Sequence, residues 1–525
     1  MEPLCVRQTS IPGTTKLFGD FLYHFDKVSP FYHGHFSDAT AWRKAAEEIE
    51  YPDGRRGRLV QALREQNGES EALAKLARPG TVAVVTGQQV GLFSGPAYSI
   101  FKALTAVKLA HQLEQQGIPA VPVFWLATED HDLAEVDHAW IFDERASIRK
   151  VALSDTFSTG GPVGDVKLKS VPFAELRTAL GELPFAAEVV SRLEASYRPG
   201  NTLGTAFRSF LSEILKSFGL LYLDPLAPAI RSIAAPFLRE TVCRIPEVIQ
   251  ALRQRDKELT ESGYHAQVHV EQDTSLIFLI RDGKRIALRY RDGQFAARDR
   301  SYTSEELQEM PSQLSPNALL RPVMQDYLLP TVGYVGGPSE IAYMAQAEVL
   351  YRKLLGRMPV IFPRNSYTLL DAKSAKLLHR YNLPVPQLFG PQEQVESRIA
   401  AKLVPSAVAE EFSAARSVFD ASLARLRSGL AAFDPTLERS AQKSTAKIHY
   451  QLEKLSRKAG REAMRRDAQA TRSAGYLTNL IYPHRHLQER FYSIVPFLAK
   501  HGMDLPQRLL DEAQLACPDH IVRSV

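Results

Sequence analysis

Four short segments hold the side chains with the most chemistry in them. In Glu129-Asp130-His131-Asp132, three carboxylates surround one imidazole. Such a set could bind an ammonium group, hold a divalent cation or poise His131 as a general base. It also fits an acidic helix N-cap, where carboxylates bond free N–H groups and complement the helix dipole. In the run from Gly87-Gln88-Gln89-Val90-Gly91 to Gly95, three glycines let the main chain turn sharply and present N–H groups to a phosphoanhydride. A ligand-free Gly-rich turn is the alternative, yet Gln88 and Gln89 place polar amides where a tight turn needs none. Neither GxxxxGK[ST] nor a clean GxGxxG occurs. In Gly336-Gly337-Pro338-Ser339-Glu340, the glycines permit close approach of a ligand and Pro338 suits a first helical turn. Glu340 could hold a ribose hydroxyl or an amine, or simply cap the helix. Arg364, after the strand Pro359–Phe362, could stabilise phosphate charge by a bidentate contact or pair with a core acid. His33-Gly34-His35 lacks the intervening residue of His-x-Gly-His and follows no buried strand, so it reads as structural.

These segments sit at the ends of predicted strands. Thr81–Thr86 is a short apolar, β-branched run of the kind buried in parallel sheets. A helix from about Tyr98 to Gln116 and a strand over Ala120–Ala127 follow, which makes a βαβ unit. The same grammar returns with helical sequence at 203–218, a strand over Leu220–Leu223 and helical sequence to about 262. The strand Thr331–Val335, a helix ending near Leu355 and the strand Pro359–Phe362 complete it. Two βα halves predict one doubly wound sheet, with ligands beyond the carboxyl ends of its strands. Residues 145–200, rich in Gly, Ser and Thr, and residues 264–300, with hairpin signals at Asp282-Gly283 and Asp292-Gly293, read as insertions.

After about residue 370 the β signal fades. Phe419, Leu423, Leu426, Leu430, Phe433 and Leu437 recur at alternating spacings of 4 and 3, and Ala441, Thr445, Ile448, Leu452, Leu455 and Ala459 repeat the pattern after Asp434-Pro435. Two helices joined by a turn is the first reading, and one long kinked helix the alternative. The stripe serves either as a rigid packing element or as an oligomerisation surface. Residues 481–502 read as a Pro-bounded amphipathic helix packing back on the core.

The 525 residues carry a net charge of +5, too small to argue a nucleic-acid binder. No apolar leader and no run long enough for a membrane span is expected. Cys5, Cys243 and Cys517 lie far apart in sequence, which argues against a disulfide framework and for a reducing cytoplasm, with Cys243 a buried helix residue.

Five motifs in order, TGQQVGLFSGPAYSIFKALTAVKLA, PVFWLATEDHDLAEVDHAW, YVGGPSEIAYMAQ, VIFPRNSYTLLD and YPHRHLQERFYSIVPFLAKHG, resemble the bacillithiol biosynthesis cysteine-adding enzyme family, BshC, from about residue 8 to 502. The tail departs from the family pattern, reading Pro-His-Arg-His where Pro-Asn-Gly is expected before Gln488, Glu489 and Arg490. The resemblance implies an α/β, Rossmann-like doubly wound core similar to class I aminoacyl-tRNA synthetases, with connecting insertions and a C-terminal α-helical coiled-coil hairpin through which two copies pair. The expected divisions are a core over 1–370, a coiled-coil domain over 371–475 and a segment over 476–525 that packs back on the core.

The resemblance also implies a ligase that joins L-cysteine to the amine of glucosaminyl-malate, forming bacillithiol, with ATP and Mg²⁺ as cofactors. Carried over, it places Glu129, Asp130, His131 and Asp132 as catalytic residues. Gly87, Gln88, Gln89, Gly91, Gly336, Gly337, Glu340 and Arg364 become cofactor-binding residues. The alternative function is a non-catalytic nucleotide- or sugar-binding scaffold that assembles a partner complex through the hairpin.

Overall fold

A computed structural model describes residues 3–154 and 160–525; residues 155–159 of the expected 145–200 insertion lie outside it. Counting strands from Leu4–Val6 (β1), the central sheet consists of Val82–Gln88 (β2), Ala120–Leu126 (β3), Leu221–Leu223 (β6), Thr331–Gly336 (β12) and Val360–Pro363 (β13). They lie in the order β13-β12-β2-β3-β6 and every pairing is parallel. The chain winds outward from β2 through β3 to β6, then returns to β12 on the other side of β2. The doubly wound expectation therefore holds, and the crevice between β2 and β12 is the switch point of the sheet.

Burial explains why these strands read as continuous apolar runs. Along β3, Val121, Val123 and Trp125 join one core with Val332, Val335 and the helix Pro228–Glu261. Phe124 and Leu126 join a second core with the helix Leu203–Ile214. Successive side chains point to opposite faces, and both faces are covered. The helix Tyr98–Gln115 packs on β2 and β3.

Both insertions carry regular elements among the described residues. His138–Phe142 (β4) and Ile148–Ala152 (β5) form an antiparallel hairpin after the Glu129–Asp132 turn. A short helix, Leu133–Val136, separates that turn from His138 at the start of β4. The second insertion is a five-stranded sheet, Ser301–Tyr302 (β10), Gln294–Ala296 (β9), Lys284–Arg291 (β8), Thr274–Arg281 (β7) and Leu314–Pro316 (β11), in that spatial order. Both Asp-Gly turns are as the sequence predicts. Asp282 and Gly283 have φ of 53° and 70°, and Asp292 and Gly293 have 48° and 79°, the left-handed pair that a two-residue hairpin turn demands.

The helical region is a hairpin. Ser406–Phe433 and Leu437–Arg466 are separated at Asp434-Pro435-Thr436, and His449 Nε2 meets Asp420 Oδ1 at 2.6 Å across the pair. The long kinked helix is thereby excluded. The predicted stripe is only partly covered: Leu423 and Leu430 are half-buried, whereas Phe419, Leu426, Phe433 and Leu455 are exposed.

Residues 481–502 correct the sequence reading. They are not one helix but a 3-10 turn Pro483–Arg485, a short helix Gln488–Phe491 and a helix Val495–His501. The break falls where His484 and Arg485 adopt φ of 47° and 65°, a left-handed conformation that the expected Asn-Gly would adopt with less strain.

A small sheet joins distant parts of the chain. His520–Ser524 (β15) lies between β1, to which it is antiparallel, and Ser366–Leu370 (β14), to which it is parallel. This sheet brings Cys5 Sγ within 3.2 Å of Cys517 Sγ, so distance in sequence was a poor guide to those two thiols. Cys243 lies on the helix Pro228–Glu261 as expected, but it is exposed. Among the described residues, no helix is long and apolar enough to cross a membrane.

Candidate active site

A cleft of about 500 Å³ opens at the β2/β12 switch point. Gly87, Gln88, Gln89, Glu129, Asp130, His131, Gly337, Glu340 and Arg364 line it; Gly91, Asp132 and Gly336 do not. The loop after β2 turns away from the cleft beyond Gln89. Gly91 O and Ser94 N both bond the buried Tyr197 hydroxyl, and Ala97 N donates to Tyr492 O at 2.7 Å. Gly87 is a glycine because β3 passes so close that a Cβ there would stand 2.8 Å from Trp125 O. The start of the helix Pro338–Leu354 does face the cleft, through Gly337, Pro338 and Ser339. A Cβ at Gly337 would come 3.3 Å from Arg364 Nε.

Beneath the floor lies Lys102, fully buried, whose ammonium donates to Gly87 O and stands 2.8 Å from Glu340 Oε2. Glu340 also accepts from the Tyr334 hydroxyl at 2.6 Å and from Gly337 N at 2.8 Å. Burial alone would neutralise this carboxyl, but the Lys102 ammonium and these donors hold it below the usual carboxylate range. Burial pulls Lys102 down, against the pull of Glu340. Glu340 is thus both a helix cap and one half of a buried ion pair.

The carboxylates after β3 part company. Glu129 is buried and accepts from Arg231 Nη1 at 2.6 Å, while Arg231 also donates to Ser312 O and Leu314 O. Burial raises the Glu129 carboxyl above its usual range, with Arg231 opposing. Asp130 accepts from Gln89 Nε2 at 2.7 Å and from the main-chain N–H groups of His131 and Asp132. Burial works against the charge on Asp130, yet those hydrogen bonds hold it below the usual range. His131 Nδ1 lies 3.1 Å from Arg285 Nη1. A guanidinium can only donate, so Nδ1 is the acceptor and the imidazole proton sits on Nε2. Asp132 makes no side-chain cap for the short helix that follows.

Arg364 pairs with a core acid, one of its two readings, and is still within the cleft. Its Nη2 donates to the buried Glu489 at 2.7 Å, and its side chain still lines the cleft, with the guanidinium 5.1 Å from the Tyr98 ring centre. The insertion sheet adds Phe278, Arg285, Pro316 and Asn317, and the helix Arg321–Leu328 adds Arg321. The cleft side chains of Arg285, Arg321 and Arg490, and Lys102 beneath, were not singled out for a role by the sequence reading. The one available signal was Lys102, a lysine inside the apolar stretch Ile100-Phe101-Lys102-Ala103-Leu104.

Charge decides what the cleft suits. Glu129 is neutralised by Arg231, Glu340 by Lys102 and Arg364 by Glu489. Arg285, Arg321 and Arg490 have no carboxylate partner among the described residues, and the remaining acid is Asp130. The Trp125 indole N–H, also at the cleft, has no hydrogen-bond partner among the described residues. No cluster of three or more metal-binding side chains occurs among the described residues. With two of the cleft's three carboxylates paired to cations, the donor set does not fit a protein-held Mg²⁺.

Fold and cleft define a Rossmann-like α/β protein with a net cationic crevice at its switch point and a long helical arm. The model of the N-terminal Rossmann-like domain of bacillithiol biosynthesis BshC matches residues 4–365, and that of the C-terminal coiled-coil domain matches residues 367–524. A protein of Solibacter usitatus named "Putative cysteine ligase BshC" is 52% identical over 100% of both chains. Proteins of that name from Koribacter versatilis and Symbiobacterium thermophilum are 39% and 32% identical, over 99% of both chains and over 87% of this chain and 86% of the other, respectively. The chain belongs to the BshC family of bacillithiol biosynthesis.

Proposed function

We propose that this chain is a cytoplasmic, ATP-dependent ligase that joins the carboxylate of L-cysteine to the amine of glucosaminyl-malate, forming the amide bond of bacillithiol. The observation that carries this reading is the charge of the switch-point cleft: three guanidinium groups without carboxylate partners against one carboxylate without a Lys or Arg partner. A phosphorylated co-substrate and a dicarboxylic malate group are both anionic, and one ammonium suits Asp130.

Amide formation from a free carboxylate is unfavourable in water, so the cysteine carboxylate is first activated, as an adenylate or an acyl phosphate. The amine then attacks the carbonyl carbon, AMP or phosphate leaves with the bonding electron pair, and the nitrogen passes one proton to the departing phosphate oxyanion. In this reading Asp130 holds the incoming amine by accepting from its N–H groups, and His131 donates its Nε2–H to an oxygen of the activated carboxylate instead of acting as the base. Glu129 positions the turn. The start of the helix Pro338–Leu354, with Arg364, faces the phosphates. Gly87, Gln88 and Gln89 form the floor. Holding the reactants together would itself supply up to about 7–11 kcal/mol.

Purified protein with cysteine, glucosaminyl-malate and ATP is expected to yield bacillithiol with either AMP plus pyrophosphate or ADP. Folded protein that gives neither product nor nucleotide turnover refutes the ligase. We further propose that two copies pair through the hairpin, a reading supported by the exposed Phe419, Leu426, Phe433 and Leu455. Light scattering of the full chain showing only monomer would refute the pairing.

A further inference from the structure

The segment Gln488-Glu489-Arg490 begins 119 residues after Leu369 of β14, yet it is fastened to that strand. Gln488 acts as a main-chain substitute: its Oε1 accepts from Leu369 N at 2.7 Å, and its Nε2 donates to Leu369 O at 3.0 Å and to Leu480 O at 2.8 Å. Glu489 is 1% exposed and accepts from Arg364 Nη2 at 2.7 Å, Ser366 Oγ at 2.8 Å and Tyr367 N at 2.8 Å. Ser366 Oγ in turn lies 2.6 Å from Nδ1 of the buried His520.

With two residues of the segment locked, the third is delivered to the cleft. Arg490 is exposed and lines the cleft beside Arg364. The two guanidinium groups approach one aromatic ring, Arg364 at 5.1 Å and Arg490 at 6.0 Å from the centre of Tyr98. Arg364 has its counter-charge in Glu489, whereas Arg490 has no ion pair and no side-chain hydrogen bond among the described residues. A fixed guanidinium beside a second one, at the start of a 17-residue helix, is a site built for an anion between them.

We infer that Arg490 is a catalytic residue that binds a phosphate group of the nucleotide co-substrate together with Arg364, and that Glu489 is the positioning residue that aims Arg364. The inference rests on the ligase reading for the identity of the nucleotide, but not for the anion site itself. The family motif ahead of the last helices thereby acquires a role: it carries a second phosphate-binding cation from the far end of the chain into the Rossmann cleft.

The test is calorimetric titration of the full chain with pyrophosphate, ATP and L-malate in separate arms, for wild type, Arg490→Gln, Arg490→Lys and Glu489→Gln. Arg490→Gln is expected to weaken pyrophosphate and ATP about ten- to a hundred-fold and to leave L-malate unchanged. Arg490→Lys keeps the charge but loses the fork, so it should recover part of that loss. Glu489→Gln keeps a side chain of the same shape and should weaken pyrophosphate less, with a fall in kcat in the product assay that exceeds the rise in KM for ATP. Equal pyrophosphate affinity in wild type and Arg490→Gln overturns the inference, as does a wild type that binds no pyrophosphate. A loss confined to the L-malate arm also overturns it, by assigning Arg490 to a carboxylate. A failed product assay with pyrophosphate binding intact refutes the ligase and leaves the anion site standing.

Discussion

The cleft and the helical arm hold charge in opposite ways. Around the cleft, ion pairs are buried and cross between distant elements: Lys102 with Glu340, Arg231 with Glu129, and Arg364 with Glu489. On the arm they are exposed and local, as in Arg465 and Arg466 with Glu462 or Arg457 with Glu453. The helix Ser406–Phe433 has no buried residue at all. A buried pair is costly to break because the surviving charge has no water to turn to, whereas an exposed pair contributes little. The arm can therefore change with little effect on folding, and the cleft cannot.

The sharpest way to break this contrast is Glu340→Ala, which leaves Lys102 buried without a counter-charge. It should destabilise the protein by about 3–5 kcal/mol, read as a lower urea midpoint, while Glu462→Ala on the arm should leave the midpoint close to that of wild type. If both variants shift the midpoint equally, the contrast fails.

Next in size is a loss of rate without loss of fold. Asp130→Asn should lower turnover about a hundred-fold or more in the product assay. Its circular dichroism and melting temperature should remain close to wild type. Full activity would remove Asp130 from the amine-holding role.

Stability should also depend on pH through His520. Burial pulls the His520 imidazole down from its ordinary value to about 4, with Glu489 pulling the other way. Between about pH 6.5 and 4 the unfolded chain therefore binds a proton that the folded chain does not, and stability falls as pH falls through that window. The difference amounts to about 3 kcal/mol for this group. His520→Gln should flatten the slope of melting temperature against pH over that window; an unchanged slope would show that other groups set it.

The smallest expected effect on folding is on the arm. Phe433→Ser, at a residue 85% exposed, should change stability by less than about 0.5 kcal/mol. The same change should shift the mass measured by light scattering toward monomer if the arm pairs two copies.

What could be read from the sequence follows the same division. Strands covered on both faces announce themselves as apolar runs, and the Asp-Gly turns announce themselves because few other residues accept two left-handed conformations in succession. The carboxylates of Glu129–Asp132 and the glycines after β2 and β12 were visible as chemistry, but their partners were not. Arg231 and Glu489 reach the cleft from helices far away in sequence, and no local pattern marks such a convergence; Lys102 lies on the helix after β2, but only the fold brings Glu340 to it. The break at His484 and Arg485 was missed for a related reason: the residues there are neither glycine nor asparagine, so the left-handed turn leaves no mark in the composition. Cys5 and Cys517 were separated for the same cause, because only the sheet β1-β15-β14 brings them together.

The Arg364–Glu489 pair bears on how the polypeptide is made. Ribosomal synthesis delivers Arg364 well over a hundred residues before Glu489, and β14 before the β15 strand that lies against it. In that interval the Rossmann-like half holds a guanidinium at a site that closes without its neutralising acid. A chain cut after residue 365 should accordingly be recovered as aggregate or bound to chaperones; its recovery as a soluble, folded monomer would show that the two halves matched by the family models fold separately.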